Sequence, residues 1–323
     1  MSAAELSPQV RKVRSFATGA VDWVSVGFTG LTALSTYLIL ALLAVILFNI
    51  AWHGLPGLSL RFILSGADQD MFDVNKAGVL PMIIGTAARV IIMTVFVVPI
   101  GVITAVYLNE YANPVALSTR IIRTAVSNLA GVPSIVFGLF GLGFFINFAG
   151  GSLDALFQAK GAEPVWGKPG IMWASLTLAV MTLPVVVVAT EESLKAIAPG
   201  LREASLALGA TQLETVRNIV LPQALPGILT GAILAVSRAS GEVAPILFTG
   251  AAYYMAHYPK ALTDQFMDLG YHVFILSTQS PNVDQTRPIL YATVLTLLLL
   301  TFGLNFIAIV MRARIRRRMR AGH

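Results

Sequence analysis

The chain has 323 residues, of which 56% are hydrophobic and 12% are charged, and its formal net charge is +6. A soluble protein is about a quarter charged, so this composition excludes an ordinary water-soluble domain and indicates a lipid environment. The sequence has no cysteine, which excludes disulfides and thiolate metal sites. Its four histidines lack the i, i+4 spacing of a helical metal site, so we expect no metal.

Several long apolar runs follow one another along the chain. A bilayer core about 30 Å thick requires roughly 20 apolar residues per helical span. We therefore predict an all-α, polytopic membrane protein with a cytoplasmic tail at 1–30, a first helix with its outer loop at 31–78, a transmembrane domain at 79–309 and a basic tail at 310–323. The predicted spans are 31–51, 79–108, 121–147, 171–190, 226–249 and 289–311.

Basic residues set the predicted orientation. Arg11, Lys12 and Arg14 precede the first span, and six arginines between Arg312 and Arg320 follow the last one. Cytoplasmic segments of membrane proteins carry an excess of lysine and arginine, so we expect both termini on the cytoplasmic side of a cell membrane. The C-terminal cluster indicates a flank facing anionic lipid. A nucleic-acid-binding arm is the alternative, but a flank that stops transfer explains the cluster fully.

Proline and glycine interrupt several of the predicted spans. Examples are Pro99 in the second, Gly131 to Ser134 in the third, Pro184 in the fourth, and Gly241 with Pro245 in the fifth. In hydrocarbon such breaks are tolerated only where protein or a water-lined cavity satisfies the freed backbone groups. They indicate helices that enclose a pathway, and the alternative is ordinary kinking and close packing through small residues.

The polar stretch EASLALGATQLETVRNIVLP, residues 203–222, separates the fourth and fifth predicted spans. Pro199 suits the first position of a helix, and Gly209 suits the left-handed position that ends one. Thr211 and Glu214 have the spacing of a capping box for a second helix. The pattern predicts two short helices joined at a bend, which either insert into a groove on another protein or merely cover the membrane helices. The second helix is expected to end at Leu221-Pro222 and to pack on protein through Leu213, Val216, Ile219 and Val220.

Three ionisable residues of the predicted spans are candidates for the lining of a pathway: Arg89, Arg238 and Glu242. At 1.5 Å per residue, both arginines lie near mid-membrane and can share one level of a pathway. Arg238 and Glu242 are one helical turn apart and can pair. Because the arginine fork fits oxyanions bidentately, the three residues predict an anion pathway, with phosphate as the natural substrate. The alternative is a set of buried charges that only fixes helix packing.

The stretch 203–222 resembles the EAA loop of ABC importer permeases, which reads E-A-A, three residues, G, nine residues, I-x-L-P. Ser205 in place of the second alanine is the one departure, and it is small. The resemblance implies the six-helix type I importer permease (MetI-like) fold, with the coupling loop at 191–225. It also implies that a separate ATPase subunit docks on this loop. The coupling role is carried over to Glu203, Ala204, Gly209, Leu221 and Pro222.

Three more stretches resemble phosphate importer permeases, namely YLNEYA at 107–112, GVPSIVFGL at 131–139 and SRASGEVAPILF at 237–248. The short basic N-terminus and the APILFTG ending of the fifth span resemble one of the two permease subunits of that system. The resemblance implies a paralogous permease partner, a pair of ATPase subunits and an extracytoplasmic phosphate-binding protein. ATP and Mg²⁺ are then expected on the ATPase, and no cofactor on this chain.

This chain is not expected to be an enzyme. Between Gly161 and Gly167-Lys168 five residues intervene where a P-loop needs four, and Pro169 stands where serine or threonine belongs. An importer of the same architecture for sulfate or molybdate is one alternative. A channel or an ion-coupled secondary transporter is another, and it would need its own energy coupling.

Overall fold

The computed structural model describes residues 23–66, 72–73, 76–159, 161–255 and 257–321. Within these ranges the chain is helical, and an isolated β-bridge joins Ala251 to Phe266. The helices are α1 (Trp23–Gly54), α2 (Leu60–Leu64), α3 (Leu80–Val106), α4 (Leu117–Leu129), α5 (Ser134–Phe140), α6 (Gly151–Phe157), α7 (Ile171–Lys195), α8 (Pro199–Ala207), α9 (Gln212–Thr215), α10 (Leu221–Gly241), α11 (Ile246–Thr249), α12 (Leu269–Thr278) and α13 (Val283–Ala321). A 3₁₀ turn covers Leu55–Gly57, and π-helical segments cover Tyr107–Tyr111, Gly141–Gly150 and Val216–Val220.

Six helical segments of the described residues are long and apolar enough to cross a membrane, as predicted. We number these segments as spans 1 to 6 in chain order. Several consist of more than one helix, because a π-helical segment continues an α-helix without interrupting the rod. The spans are Trp23–Gly57, Leu80–Tyr111, Ser134–Phe157, Ile171–Lys195, Gln212–Gly241 and Val283–Ile315.

The chain divides into two compact units, one up to Asn49 and one from Ile50 onward. In the first unit α1 begins at Trp23, about two turns of helix before the predicted span start at residue 31. The polar residues between positions 25 and 36 do not end the helix, because Thr29 and Thr32 hydrogen-bond to carbonyls of the preceding turn. Arg11, Lys12 and Arg14 lie outside the described residues.

The predicted third span, 121–147, was wrong. Residues 117–129 form the separate helix α4, whose charged residues Arg120 and Arg123 do not belong in a bilayer core, and span 3 begins only at Ser134. Pro133 is extended, with φ −58° and ψ 139°, and it is the N-cap of α5. The prediction joined an amphipathic helix to the first half of a membrane helix, because hydropathy averaged over a window does not register a break of four residues.

Two of the predicted helix breaks are absent from the described helices. Pro99 lies inside the continuous helix α3, and Pro184 lies inside α7. By contrast, α10 ends at Gly241, and the chain is non-helical before Pro245. Gly101 lies in α3 where the neighbouring helix passes closely, since an added Cβ would lie 2.7 Å from Cγ1 of Val186 in α7. For α3 and α7 the alternative of close packing through small residues therefore holds.

The core of the second unit lies where α3, α7 and α10 pack together. Its fully buried side chains include Val90 and Met93 of α3, Leu178 and Met181 of α7, and Ala235 of α10. Because lipid tails are as apolar as leucine, this packing depends on close contact of shaped surfaces rather than on exclusion of water. These three helices position the site described below.

A helix that lies outside the six predicted spans precedes span 6. This helix, α12, packs Leu269 and Leu276 against Ile289 and Ala292 of α13. The loop before it is folded by its own bonds: the carboxylate of Asp264 accepts hydrogen bonds from the backbone N–H groups of Ala261 and Lys260. These bonds lower the pKa of the Asp264 carboxyl.

The close approach at Gly101 gives a test of the core. Gly101→Val should lower the stability of the protein by about 1–3 kcal/mol, because the added methyl groups would overlap the stiff side chain of Val186. The measurement is the thermal unfolding midpoint of the purified protein in detergent. Gly303→Val in α13 is the matched control, since an added Cβ there meets nothing within 4 Å. Equal midpoints for the two variants would contradict the packing described here.

Candidate functional site

Residues 199–222, which we call the bent segment, follow span 4 and include the start of span 5. Helix α8 begins with Pro199 and ends before Gly209, which has φ +88°. Thr211 Oγ1 accepts a hydrogen bond from the backbone N–H of Glu214 at 3.3 Å, and Glu214 Oε2 accepts the backbone N–H of Thr211 at 2.8 Å. The predicted bend and the predicted capping box are both confirmed.

The predicted end of the second helix was wrong. Helix α9 passes through the π-helical turn Val216–Val220 directly into α10, so Pro222 lies near the start of a long helix instead of ending a short one. Proline is tolerated inside a membrane helix where a local π adjustment reassigns the freed backbone groups. The π turn also changes the helical phase. Val216 and Val220 are buried as predicted, whereas Leu213 is 67% exposed.

An arginine fixes the bent segment to the end of span 2. Arg202 of α8 donates from Nη2 to Glu110 Oε1 at 2.8 Å and from Nε to Glu110 Oε2 at 3.2 Å. Its Nη2 and Nη1 also donate to the carbonyls of Leu194 and Ile197, at the end of α7. The glutamate of the YLNEYA stretch therefore has a structural role, because its carboxylate accepts the hydrogen bonds of the arginine of the bent segment.

The two arms of the bend are joined by serine and threonine. The hydroxyls of Ser205 in α8 and Thr215 in α9 lie 2.9 Å apart and share a hydrogen bond. Ser205 is the residue that departs from the E-A-A pattern. The departure therefore adds a polar contact across the bend that alanine could not make.

The residues predicted to couple lie mostly on the outside of the bent segment. Glu203, Ala204, Gly209 and Pro222 are exposed, and Leu221 is partly buried. Three leucines of the segment are also exposed: Leu206 at 48%, Leu208 at 90% and Leu213 at 67%. Exposed leucines on a rigidly held bend are typical of a protein-docking surface.

The predicted pair Arg238 and Glu242 is present at the end of α10. Arg238 Nε lies 3.7 Å from Glu242 Oε1, and the two side chains are 38% and 25% exposed. Glu242 is extended, with φ −80° and ψ 127°, because α10 ends at Gly241. The pair is therefore formed across the end of the helix, where an arginine next to an interrupted backbone can face a pathway.

Arg89 lies inside the protein. Its side chain is completely buried, and its guanidinium donates to three acceptors: Asp268 Oδ2 at 2.6 Å, the carbonyl of Ala239 at 2.8 Å and the carbonyl of Ser240 at 3.1 Å. The bonds to residues 239 and 240 confirm the predicted shared level of Arg89 and Arg238. That Arg89 contacts an anion stays a prediction, since the guanidinium is enclosed in this structure.

Asp268, the partner of Arg89, is a residue that the sequence analysis missed. It is completely buried with Arg89, caps the N-terminus of α12 through the N–H of Tyr271, and accepts the hydroxyl of Thr86 at 2.9 Å. Removing one member of such a buried pair leaves an unpaired charge, which costs about 3–5 kcal/mol. An aspartate before the apolar run LGYHVFIL signals a helix cap. Nothing in the sequence connects position 268 to position 89.

The described residues contain no group of three or more histidine, aspartate or glutamate side chains that could hold a metal ion. What the geometry provides is a helical membrane domain with a partly exposed arginine at a helix break and a rigid bend with an exposed apolar surface. These features are typical of a membrane transport subunit.

The family follows from residues 97–321, which match the model of the inner membrane components of binding-protein-dependent transport systems. The chain belongs to this family and is a multi-pass membrane permease. It is 35% identical over 221 residues to the probable ABC transporter permease protein YqgI of Bacillus subtilis, an alignment covering 68% of each chain. It is 34% identical over 220 residues to the phosphate transport system permease protein PstA of Pasteurella multocida, covering 68% of this chain and 71% of that one.

A shorter stretch of 170 residues is 39% identical to the phosphate transport system permease protein PstA 1 of Mycobacterium tuberculosis, covering 53% of this chain and 50% of that one. Among solved structures, a bacterial alginate ABC transporter matches with a TM-score of 0.63 at 14% identity, over 89% of this chain and 94% of that one. The MetNI methionine ABC transporter matches with a TM-score of 0.52 at 20% identity, over 74% of this chain and 94% of that one. These structures establish the type I importer permease fold.

The anchor between Arg202 and Glu110 gives a second test. Arg202→Gln should increase amide hydrogen exchange in residues 199–215 about tenfold, because charge-assisted hydrogen bonds of roughly 1.5–3 kcal/mol hold the bend. Hydrogen–deuterium exchange with mass spectrometry measures the effect. Arg217→Gln is the control, since Arg217 is exposed on the same segment. Unchanged exchange in the Arg202 variant would show that the bend does not depend on the anchor.

Proposed function

We propose that this chain is a permease subunit of an ATP-driven phosphate importer and forms half of the transmembrane pathway for inorganic phosphate. The relatives named PstA support phosphate as the substrate. The observation that carries the proposal is Arg238, held beside Glu242 at the end of α10 and 38% exposed. A charged side chain in a membrane helix is costly, so its retention at a helix break is expected to serve the transported substrate.

The chemistry of Arg238 suits a phosphate oxyanion. The contact of Glu242 with the guanidinium is to Nε, at 3.7 Å, and both side chains are partly exposed. Two parallel N–H donors match two oxygens of a phosphate better than a lysine ammonium would. Glu242 thus orients the guanidinium and limits its charge, which favours an anion that binds and then leaves.

In this proposal the driving force comes from a partner. A PstB-like ATPase subunit, which binds ATP and Mg²⁺, docks on the bent segment at Glu203, Ala204, Gly209 and the exposed leucines. Arg202 and Glu110 fix the segment to span 2, and α9 is continuous with α10 within span 5. A displacement of the bend therefore moves both spans. Leu221 and Pro222 lie in that continuous connection.

The complete importer in this proposal has two further partners. A paralogous, PstC-like permease supplies the other half of the pathway, and a PstS-like phosphate-binding protein delivers the anion from outside. Both termini of this chain lie in the cytoplasm of a bacterial cell, and the C-terminal arginines face anionic lipid of the inner membrane.

Arg238→Gln should abolish phosphate uptake and leave assembly with the ATPase intact, because glutamine keeps a hydrogen-bonding side chain but removes the charged fork. The measurement is uptake of radiolabelled phosphate by the whole importer in proteoliposomes, with co-purification of the ATPase as the assembly check. Arg120→Gln, at an exposed arginine of α4, is the control. Wild-type uptake by the Arg238 variant would remove this residue from the pathway. Competition by sulfate or molybdate in the same assay would redirect the substrate assignment.

Gly209→Val should separate ATP hydrolysis from transport. At φ +88° a β-branched residue is strained, so the bend should open while the membrane helices stay folded. The measurement is ATPase activity of the importer with and without phosphate-loaded binding protein, which should lose its stimulation. Gly200→Val in α8 is the matched control, since it has no positive φ and an added Cβ meets nothing within 4 Å. Full stimulation in the Gly209 variant would reject the coupling role.

A further inference from the structure

Arg89, Asp268 and Thr86 form a closed polar network in an otherwise apolar part of the second unit. Arg89 and Asp268 have no exposed side-chain surface, and Thr86 is equally buried. Thr86 donates to Asp268 Oδ2 and accepts the backbone N–H of Leu269, both at 2.9 Å. The network therefore connects span 2, the start of α12 and the end of α10.

The end of α10 is the part of this network that concerns the anion. The last carbonyls of a helix lack partners within the helix, and in a membrane protein they must find them elsewhere in the protein. At α10 the carbonyl of Ala239 accepts the backbone N–H of Glu242 and Nη1 of Arg89, and the carbonyl of Ser240 accepts Nη2 of Arg89. These two residues stand between Arg238 and Glu242, so the guanidinium of Arg89 holds the backbone from which both members of the exposed pair project.

We propose that Arg89 is a positioning residue for phosphate transport. Its guanidinium, which Asp268 orients, caps the end of α10 and thereby sets the direction of Arg238 and Glu242. The inference rests on the proposed function, because it assigns Arg89 a task at the same anion site. It differs from a role in packing, which would need only a neutral, well-filled contact at this position.

The fork geometry of arginine separates these two roles. Nε is used by Asp268 while the two Nη groups reach two successive carbonyls. A lysine ammonium can keep the ion pair with Asp268, but a single nitrogen cannot span the same three acceptors. Arg89→Lys therefore preserves the buried charge pair and removes the cap, which is the property the proposal depends on.

The experiment uses the whole importer in proteoliposomes and two readouts. The first is the maximal rate of phosphate uptake with saturating binding protein. The second is the rate at which a thiol reagent modifies a cysteine introduced by Gly241→Cys, since the natural chain has no cysteine and an added Cβ at Gly241 meets nothing within 4 Å. Arg89→Lys should lower uptake at least tenfold and raise the modification rate at least threefold, with normal assembly. Asp264→Asn, whose carboxylate bonds only to nearby backbone in the described loop, should leave both readouts unchanged.

A second variant tests the same proposal if the Arg89→Lys protein does not fold. The pair Arg89→Met and Asp268→Leu replaces both charges by apolar side chains of similar volume, which leaves no unpaired charge. The proposal predicts the same loss of uptake and the same rise in modification, because both carbonyls again lose the guanidinium of Arg89 as a donor. Uptake within twofold of wild type in either assembled variant would overturn the proposal. So would failure of both variants to assemble, since the network would then serve folding alone.

The proposed function and this inference can fail separately. Wild-type uptake by Arg238→Gln would reject Arg238 as the anion contact, whatever the Arg89 variants do. A lost uptake in Arg238→Gln combined with a normal Gly241→Cys modification rate in Arg89→Lys would retain the anion site and reject the cap.

Discussion

Hydrocarbon offers no hydrogen-bonding partners, so every backbone group that leaves a regular helix inside a membrane protein has to find a partner within the protein. This constraint acts most strongly at the end of α10, where the helix stops at Gly241 well inside the chain's apolar region. The guanidinium of Arg89 meets this requirement by donating hydrogen bonds to two of the last carbonyls of α10. The break that leaves Arg238 and Glu242 partly exposed lies beside this interaction.

The same solution recurs at the other end of the membrane helices. Arg202 bonds to Glu110 and to the carbonyls of Leu194 and Ile197, and Arg123 bonds to Glu191 and to the carbonyl of Leu108. In each case one arginine joins a carboxylate from one element to the carbonyl end of a helix. A planar group with five donors suits this task, because it satisfies a charge and a helix end together. Arg238 differs, since its contact with Glu242 is 3.7 Å long and its side chain is 38% exposed.

The bent segment is rigid for reasons that lie within it and beside it. Gly209 and the capping box of Thr211 and Glu214 set its shape, while the ion pair of Arg202 fixes it to span 2. The π turn Val216–Val220 then makes the bend and span 5 one continuous rod. A displacement of the bend therefore reaches the membrane helices through these fixed contacts.

Local chemistry made the bend predictable from the sequence: a left-handed glycine and a capping box depend on residues a few positions apart. The six spans were also predictable in number, because each needs its own apolar run. The boundaries that failed were those decided by neighbours. Hydropathy averaged over a window does not separate α4 from span 3 at Pro133. Pro222 predicts the end of a helix, but a π turn before it continues the helix.

The sequence by itself determined that this chain is a membrane permease with six apolar helices, a bend before the fifth of them, and an arginine that can pair with the glutamate four residues on. Only the tertiary structure decided which charges are enclosed. Arg89 and Asp268 are 179 positions apart, and no local pattern brings them together. Their pairing follows from the packing of α3, α10 and α12, because burial of a charge is possible only where the folded neighbours supply its counter-charge and its remaining hydrogen bonds.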